Sequence, residues 1–346
     1  MTVGILVIAL LIILIGAEVF TNALEHLGER LKINEEMTSS IFTPVGTALP
    51  ATMVPMMAVL STFGTQSVRE EMAVGAILGA PLMLATLVMF LTAVAAISRR
   101  GWEDHFSPER TALNRDLFWF LIAIGLGTAA IFAPHSMKWL RILLAMGLVL
   151  VYIAYLVRYF RTSRQSGAKG RRIQASERLY LFRLFGRLGV TENLPVIYMQ
   201  LVIATAFIVF GAQGFLQGVE RLSVWTGVSI LALSMVIVPL ASELPEKFNS
   251  LVWIRTRKDT LAFANITGAM VFQATLLPAV GIMFMPWEPR PEVLAGVIFP
   301  FAATAYLLFR LRHGNLRAVH LFFNGFCYLA CLLVVLGWGY VPVAAQ

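Results

Sequence analysis

The chain has 346 residues, 58% of them hydrophobic and 13% charged, with a formal charge of +8. Soluble domains average about 45–50% apolar and about 25% charged, so this composition excludes an ordinary water-soluble fold. The basic residues sit in short loops between long apolar runs, where they read as topology signals and exclude a nucleic-acid partner.

The first apolar run, Val3 to Ala23, lacks a basic start and exceeds the roughly 7–15-residue core of a signal peptide. It reads as a retained first span. Runs of about 20 apolar residues cross a hydrocarbon layer of about 30 Å, and ten of them can be marked. In order they are Val3–Leu24, Met37–Phe63, Met72–Ile97, Leu117–Phe132 and Trp139–Phe160, then Leu194–Leu216, Trp225–Ile254, Leu261–Met285, Val293–Leu311 and Ala318–Gly339. Three regions follow: a five-helix unit over residues 1–160, a basic linker over 161–193, and a second five-helix unit over 194–346. Within the linker, Leu179–Leu188 reads as a basic amphipathic helix lying on the membrane surface. The predicted fold is an all-α membrane protein of about ten transmembrane helices.

Lys and Arg accumulate in cytoplasmic loops. The linker carries Arg161, Arg164, Lys169, Arg171, Arg172, Arg178, Arg183 and Arg187 against the two acids Glu177 and Glu192, so it is placed inside. Alternation then puts Arg30 and Lys32, Arg99 to Arg115, Arg255 to Lys258, and Arg310 to Arg317 inside as well. Only Arg69, Lys138, Arg141, Arg221 and Arg290 fall outside, and Lys247 alone falls away from the ends of a span. Both termini are expected to be extracytoplasmic, in a bacterial-type plasma membrane.

The chain matches itself at an offset of 195 positions. Gly16, Ala17 and Phe20 align with Gly211, Ala212 and Phe215, Glu25 with Glu220, and Pro44, Leu49 and Pro50 with Pro239, Leu244 and Pro245. After a loop shorter by six residues, Gly79-Ala80 aligns with Gly268-Ala269. A unit of five spans is odd, so its second copy enters the bilayer from the opposite side. Inverted repeats of this kind place substrate at the midplane, between discontinuous helices. Spans two and seven fit that role through Pro44, Pro50 and Pro55 and through Pro239 and Pro245, since proline frees a carbonyl four residues back.

Span seven also holds Glu243, Glu246 and Lys247. Each ionisable group costs roughly 2.5–3.5 kcal/mol at a helix centre on insertion scales, so the three are expected to face a cavity or each other. Glu243 and Glu246 share a face at i, i+3, and Lys247 stands at i+4 from Glu243. Asn265, Thr267 and Gln273 of span eight could complete an oxygen-rich shell for a hard cation. The lysine has two readings, pairing with a glutamate or reaching toward the cytoplasmic edge. Cys327 and Cys331, at i, i+4, read as core or lipid-facing residues, and the five histidines are scattered. No nucleophile–base or metal-ligand spacing points to an enzyme, and no resident cofactor is expected.

Segments Gly46–Ala51 and Ala241–Glu246 resemble the paired G-T-S-L-P-E motifs of the sodium/calcium exchanger superfamily, and Val74–Ala80 and Phe263–Ala269 resemble its following G-N-x-x-G-S-N motifs. Gly16-Ala17-Glu18 and the inverted repeat fit as well. The resemblance implies a secondary-active antiporter that exchanges calcium or another cation against sodium, potassium or protons. Its ion ligands would be the motif glutamates with nearby hydroxyl and amide groups. Carried over by position, these are Glu246, Asn265, Ser242 and Thr47, with Glu243 standing where the family has a small residue and Lys247 where it has an apolar one. The first-half glutamate position is Ala51, its asparagine position is Ala76, and both motif serines are alanines, Ala80 and Ala269.

Glu246 and Glu243 are thus the expected cation ligands, with Lys247, Gln273 and Thr267 modulating the site. Glu243, Glu246 and Lys247 sum to −1 when ionised, which suits a monovalent cation or a proton better than calcium. The rival expectation is a non-transporting structural or regulatory protein on the same scaffold. The partners are the lipid bilayer and inorganic cations such as sodium, calcium or protons; the oligomeric state is open.

Overall fold

The structure is a computed structural model. It describes residues 2–30, 52–59, 65–102, 104–134, 136–165, 179–181 and 193–339, with the side chains of residues 160, 162–165, 245 and 246 outside that description. Thr47, Pro44, Pro50, Ala51 and most of the linker lie outside the described residues, as does most of span two.

All regular structure among the described residues is helical. We label the elements α1 (Thr2–Arg30), α2 (residues 52–59), α3 (Gln66–Arg100), α4 (Arg110–Ile131) and α5 (Lys138–Gln165). The second half holds α6 (Leu194–Thr226), α7 (Ile230–Ser242), α8 (Leu244–Arg255), α9 (Asp259–Phe284), α10 (Pro291–His313) and α11 (Phe322–Trp338). Eight helices among the described residues are long and apolar enough to cross a membrane, counting α11 with the short 3₁₀ turn before it; α7 is a shorter apolar helix. These elements coincide with the predicted spans, because length and apolarity alone set what can cross a bilayer.

Helices α1 and α6 lie against each other in a self-complementary way. A methyl group added at Gly16 would stand 2.9 Å from Ile208 Cγ1 and 3.1 Å from the Ala204 carbonyl oxygen. One added at Gly211 would stand 2.8 Å from Ile13 Cγ1 and 3.1 Å from the Ala9 carbonyl oxygen. Gly16 and Gly211, Ile13 and Ile208, and Ala9 and Ala204 are each separated by the same 195 positions. The contact is therefore the sequence repeat expressed as a pseudo-two-fold axis. Hydrocarbon gives helices no hydrophobic reason to associate, so close approach at small residues supplies the dispersion energy.

The core lies around α3, α7 and α9. In α3, 83% of the most apolar window is buried, against 28% in α1 and 17% in α5, so α3 is wrapped by protein while α5 faces lipid. Pro239 in α7 has no N–H to offer the Met235 carbonyl, and the bare backbone of Gly79 lies directly against that carbonyl oxygen. A π turn in α3, Leu84–Val88, is met by Asn324 of α11, which donates to the Ala85 carbonyl at 2.7 Å. Such turns free a backbone acceptor, which a side chain here satisfies.

The basic residues separate along the helix axes. At one end Arg100 meets Asp259, Arg257 meets Asp104, Arg110 donates to Asn315, Arg312 to Asn114, and Arg317 contacts His105. At the opposite end Arg290 pairs with Glu71, and Arg141 donates to the Ile282 and Met285 carbonyls that close α9. Of the residues in these contacts, Arg100, Arg110, Arg257, Arg312 and Arg317 share one end and Arg141 and Arg290 the other.

Candidate functional site

Span seven is broken where the sequence places its charges. Helix α7 stops at Ser242 and α8 starts at Leu244, with Glu243 between them at φ −100°, ψ −37°. Pro239 and Pro245 explain the position, because each removes one amide donor from the ladder on either side of Glu243. Irregular backbone at membrane depth survives only where protein or a polar cavity encloses it, and Glu243 is completely buried.

Three side chains meet there. Gln273 Nε2 of α9 donates to Glu243 Oε1. Lys247 Nζ lies 3.8 Å from Glu243 Oε2, and the two side chains are 3% and 0% exposed. The i, i+4 spacing brings the lysine back over the carboxylate, as it does on any helix face. The reading in which Lys247 reaches for the cytoplasmic edge is therefore not what the structure adopts, because its opposite charge lies one turn away. Glu243 Oε2 and Gln273 Oε1 have no hydrogen-bond partner among the described residues. Among the described residues two acceptor oxygens thus remain open beside one ammonium group, a condition that native interiors tolerate only rarely.

The other candidates divide. Asn265 is half-buried and donates from Nδ2 to Ser250 Oγ at 2.8 Å. Ser250 is seven residues beyond Glu243 along α8, roughly 10 Å at the helical rise, so this pair forms a second polar level. Ser242 is buried and turns its hydroxyl back to the Val238 carbonyl at 2.9 Å. Thr267 is not brought to the group, although Gln273 on the same helix is. It donates to Asp116 Oδ2 of α4 at 2.8 Å. The six-residue step from Thr267 to Gln273 turns about 240° around α9, which forces them onto different faces. Thr47 and the side chain of Glu246 lie outside the described residues; the backbone of Glu246 sits in α8, next to Lys247.

Two buried acids were not singled out from the sequence. Asp116 binds Arg115 at 3.0 Å and Thr267, and Asp259 binds Arg100 at 2.6 Å and the Ser107 amide at 2.9 Å. Both stand just before an apolar run, where an acid reads as loop. The signal that could have exposed them is the helical pattern reaching back to Arg110 and to the α9 N-terminus. The polar group is also one-sided. Under the repeat, Glu243, Glu246 and Lys247 correspond to Ala48, Ala51 and Thr52, and Gln273 to the fully buried Leu84.

The inverted helical repeat, the proline-broken span and the buried polar group at the break define a membrane transporter of the exchanger class, not an enzyme. The chain belongs to the sodium/calcium exchanger protein family, whose family model matches residues 1–161 and 196–341. It is 21% identical over 290 residues to the inner membrane protein YrbG of Escherichia coli, covering 83% of this chain and 81% of that protein. It is 28% identical over 122 residues to the putative antiporter CaxA of Alkalimonas amylolytica, covering 35% of this chain and 38% of that protein. The fold is shared with the H+/Ca2+ exchanger CAX, with a TM-score of 0.70 at 16% identity over 96% of this chain and 82% of the other. It is also shared with the sodium-calcium exchanger NCX_Mj, with a TM-score of 0.56 at 15% identity over 96% and 97% of the two chains.

Proposed function

We propose that this chain is a secondary-active cation antiporter whose ion site is supplied by its second half, with Lys247 lying on Glu243 as a tethered cation. The observation that carries the reading is the buried group of Glu243, Lys247 and Gln273 at the helix break. The ammonium offsets one carboxylate, so Glu246 is the remaining acid of the broken segment. One net negative charge matches a sodium ion, a potassium ion or a proton, and leaves a calcium ion under-neutralised. Glu246 binds the ion, Glu243 assists it, and Asn265, Ser242 and Thr47 are assigned as oxygen donors around it. The antiporter class is supported by the descriptions of the relatives, one an H+/Ca2+ exchanger and one a putative antiporter. The basic end is assigned to the cytoplasm by the distribution of Lys and Arg, which leaves both termini outside.

Flux measurements on reconstituted vesicles test this. Sodium or potassium exchange against protons is expected to exceed calcium flux, and Glu246→Gln is expected to reduce exchange at least about tenfold, the loss of roughly 1.4 kcal/mol. Unchanged flux in that variant would remove Glu246 from the mechanism. The Glu243–Lys247 pair is equally what a lapsed site would contain. Wild-type vesicles with no cation-dependent flux and no thermal stabilisation by sodium, potassium, calcium or manganese would replace the antiporter with a scaffold protein.

A further inference from the structure

Asp116 is a buried carboxylate that the candidate cation site does not use. Its side chain is 3% exposed on α4, and Arg115 holds Oδ1 from Nη2 at 3.0 Å and from Nε at 3.1 Å. The Arg115 guanidinium lies over the Tyr155 and Tyr159 rings of α5 at 5.7 and 5.0 Å. The acid is thus fixed from the α4–α5 side, and its second oxygen is turned to α9. There Oδ2 accepts from Thr267 Oγ1 at 2.8 Å, with both side chains buried. An ionisable group inside a span is costly, so its place there calls for a function.

Helix α9 carries its polar groups on two sides. At about 100° per residue, Asn265 and Gln273 lie about 80° apart, and both meet the broken span, at Ser250 and Glu243. Thr267 lies about 200° from Asn265, on the side that meets Asp116. The neighbours Phe263, Ile266, Met270, Val271 and Ala274 are apolar and buried. Apolar packing is non-directional, whereas a hydrogen bond has a direction. A side-chain tip about 5 Å from a helix axis moves about 1 Å when the helix rotates about 10°, enough to break such a bond. Turning α9 off Asp116 therefore turns Gln273 off Glu243. Under the repeat, Asn265, Thr267 and Gln273 correspond to Ala76, Leu78 and Leu84, so the tie and the polar site occur in the same half.

We propose that Asp116 is a positioning residue of the cation site: by holding Thr267 it fixes the rotation of α9 that keeps Gln273 on Glu243. The consequence for transport rests on the antiporter reading above, while the positioning itself does not. Asp116 acts through α9 and does not bind the ion. Loosening the tie is expected to raise the half-saturating cation concentration about tenfold, the worth of one hydrogen bond to a charged group. The maximal rate should stay within about twofold, because binding alone is disturbed.

The test uses Thr267→Val, which keeps the shape and removes the hydroxyl, and Thr267→Ser, which keeps the hydroxyl. Thermal unfolding of the full chain in detergent, without added cation, is read for Gln273→Leu in the wild-type, Thr267→Val and Thr267→Ser backgrounds. Thr267 and Gln273 stand about 9 Å apart along α9, and independent sites at that separation change stability additively. The expected result is non-additivity: the Tm change from Gln273→Leu falls to about half or less in the Thr267→Val background and returns in the Thr267→Ser background. In vesicles, Thr267→Val should raise the half-saturating concentration of sodium or potassium, Thr267→Ser should restore it, and adding Asp116→Asn to Thr267→Val should raise it no further. Thr267→Ala takes the place of Thr267→Val if that variant unfolds. Additive Tm changes would overturn the proposal, as would wild-type half-saturation in Thr267→Val, a fall in maximal rate alone, a further rise on adding Asp116→Asn, or Thr267→Ser as impaired as Thr267→Val. Wild-type vesicles without cation flux would count against the antiporter alone, because the Tm comparison needs no transport.

Discussion

Arg100–Asp259 and Lys247–Glu243 are both ion pairs buried in this protein, and they are built differently. Arg100 reaches both oxygens of Asp259, at 2.6 and 3.1 Å, and also donates to the Ile254 carbonyl. Asp259 accepts the Ser107 amide as well, and it stands in the first turn of α9, where a helix favours an acid. Lys247 stays 3.8 Å from Glu243, and one oxygen each of Glu243 and Gln273 lacks a hydrogen bond among the described residues. The first pair is a staple between α3 and α9 at the helix ends. The second keeps acceptor capacity in reserve at a helix break. A buried carboxylate with both oxygens bonded serves structure, whereas one with an oxygen unbonded among the described residues can change occupant.

Three measurements would sharpen or break that contrast. The largest effect is expected from Asp259→Ala, which leaves Arg100, an arginine that cannot lose its proton, with Asp104 at 3.8 Å as its remaining carboxylate. Removing one partner of a buried pair costs about 3–5 kcal/mol, and this should appear as the steepest fall in Tm. Glu243→Gln should cost at least about 1 kcal/mol less, because a glutamine still accepts from Gln273 and Oε2 has no hydrogen bond to lose. Equal losses would mean that the two pairs do the same job.

An intermediate effect is expected from Lys247→Met, which keeps the apolar stem and removes the tethered charge. Calcium-dependent flux or calcium-induced stabilisation should then rise about tenfold, or roughly 1.4 kcal/mol in site preference, measured against sodium in the same vesicles. No change in ion preference would mean that the lysine does not occupy the site. The smallest effect belongs to Glu71→Gln. It breaks the pair with Arg290, whose side chains are 26% and 44% exposed, and such pairs contribute less than about 1 kcal/mol. A Tm within a degree or two of wild type is the expected result.

Much of the fold was legible in one dimension. Apolar runs marked the spans, and the 195-residue offset reappears as the reciprocal packing of Gly16 and Gly211. The candidate site was only half legible. Glu243 and Lys247 share a helix face at i, i+4, so their pairing could be anticipated, and Gln273 was one of several polar groups on α9. That Gln273 and not Thr267 reaches Glu243 depends on how α9 is rotated against α8 and α4. Asp116 and Asp259 read as loop acids, because burial is a property of neighbours that the chain brings in from 150 positions away.

Composition, run length and repeat offset by themselves determine that this protein lies in a membrane, how many times it crosses and which segment breaks, since each follows from local apolarity and from where proline removes a donor. Which charges meet is decided only in three dimensions. Helix rotation chooses among polar groups that are equivalent along the sequence, and in a water-free interior each buried charge takes whatever partner the packing brings within reach.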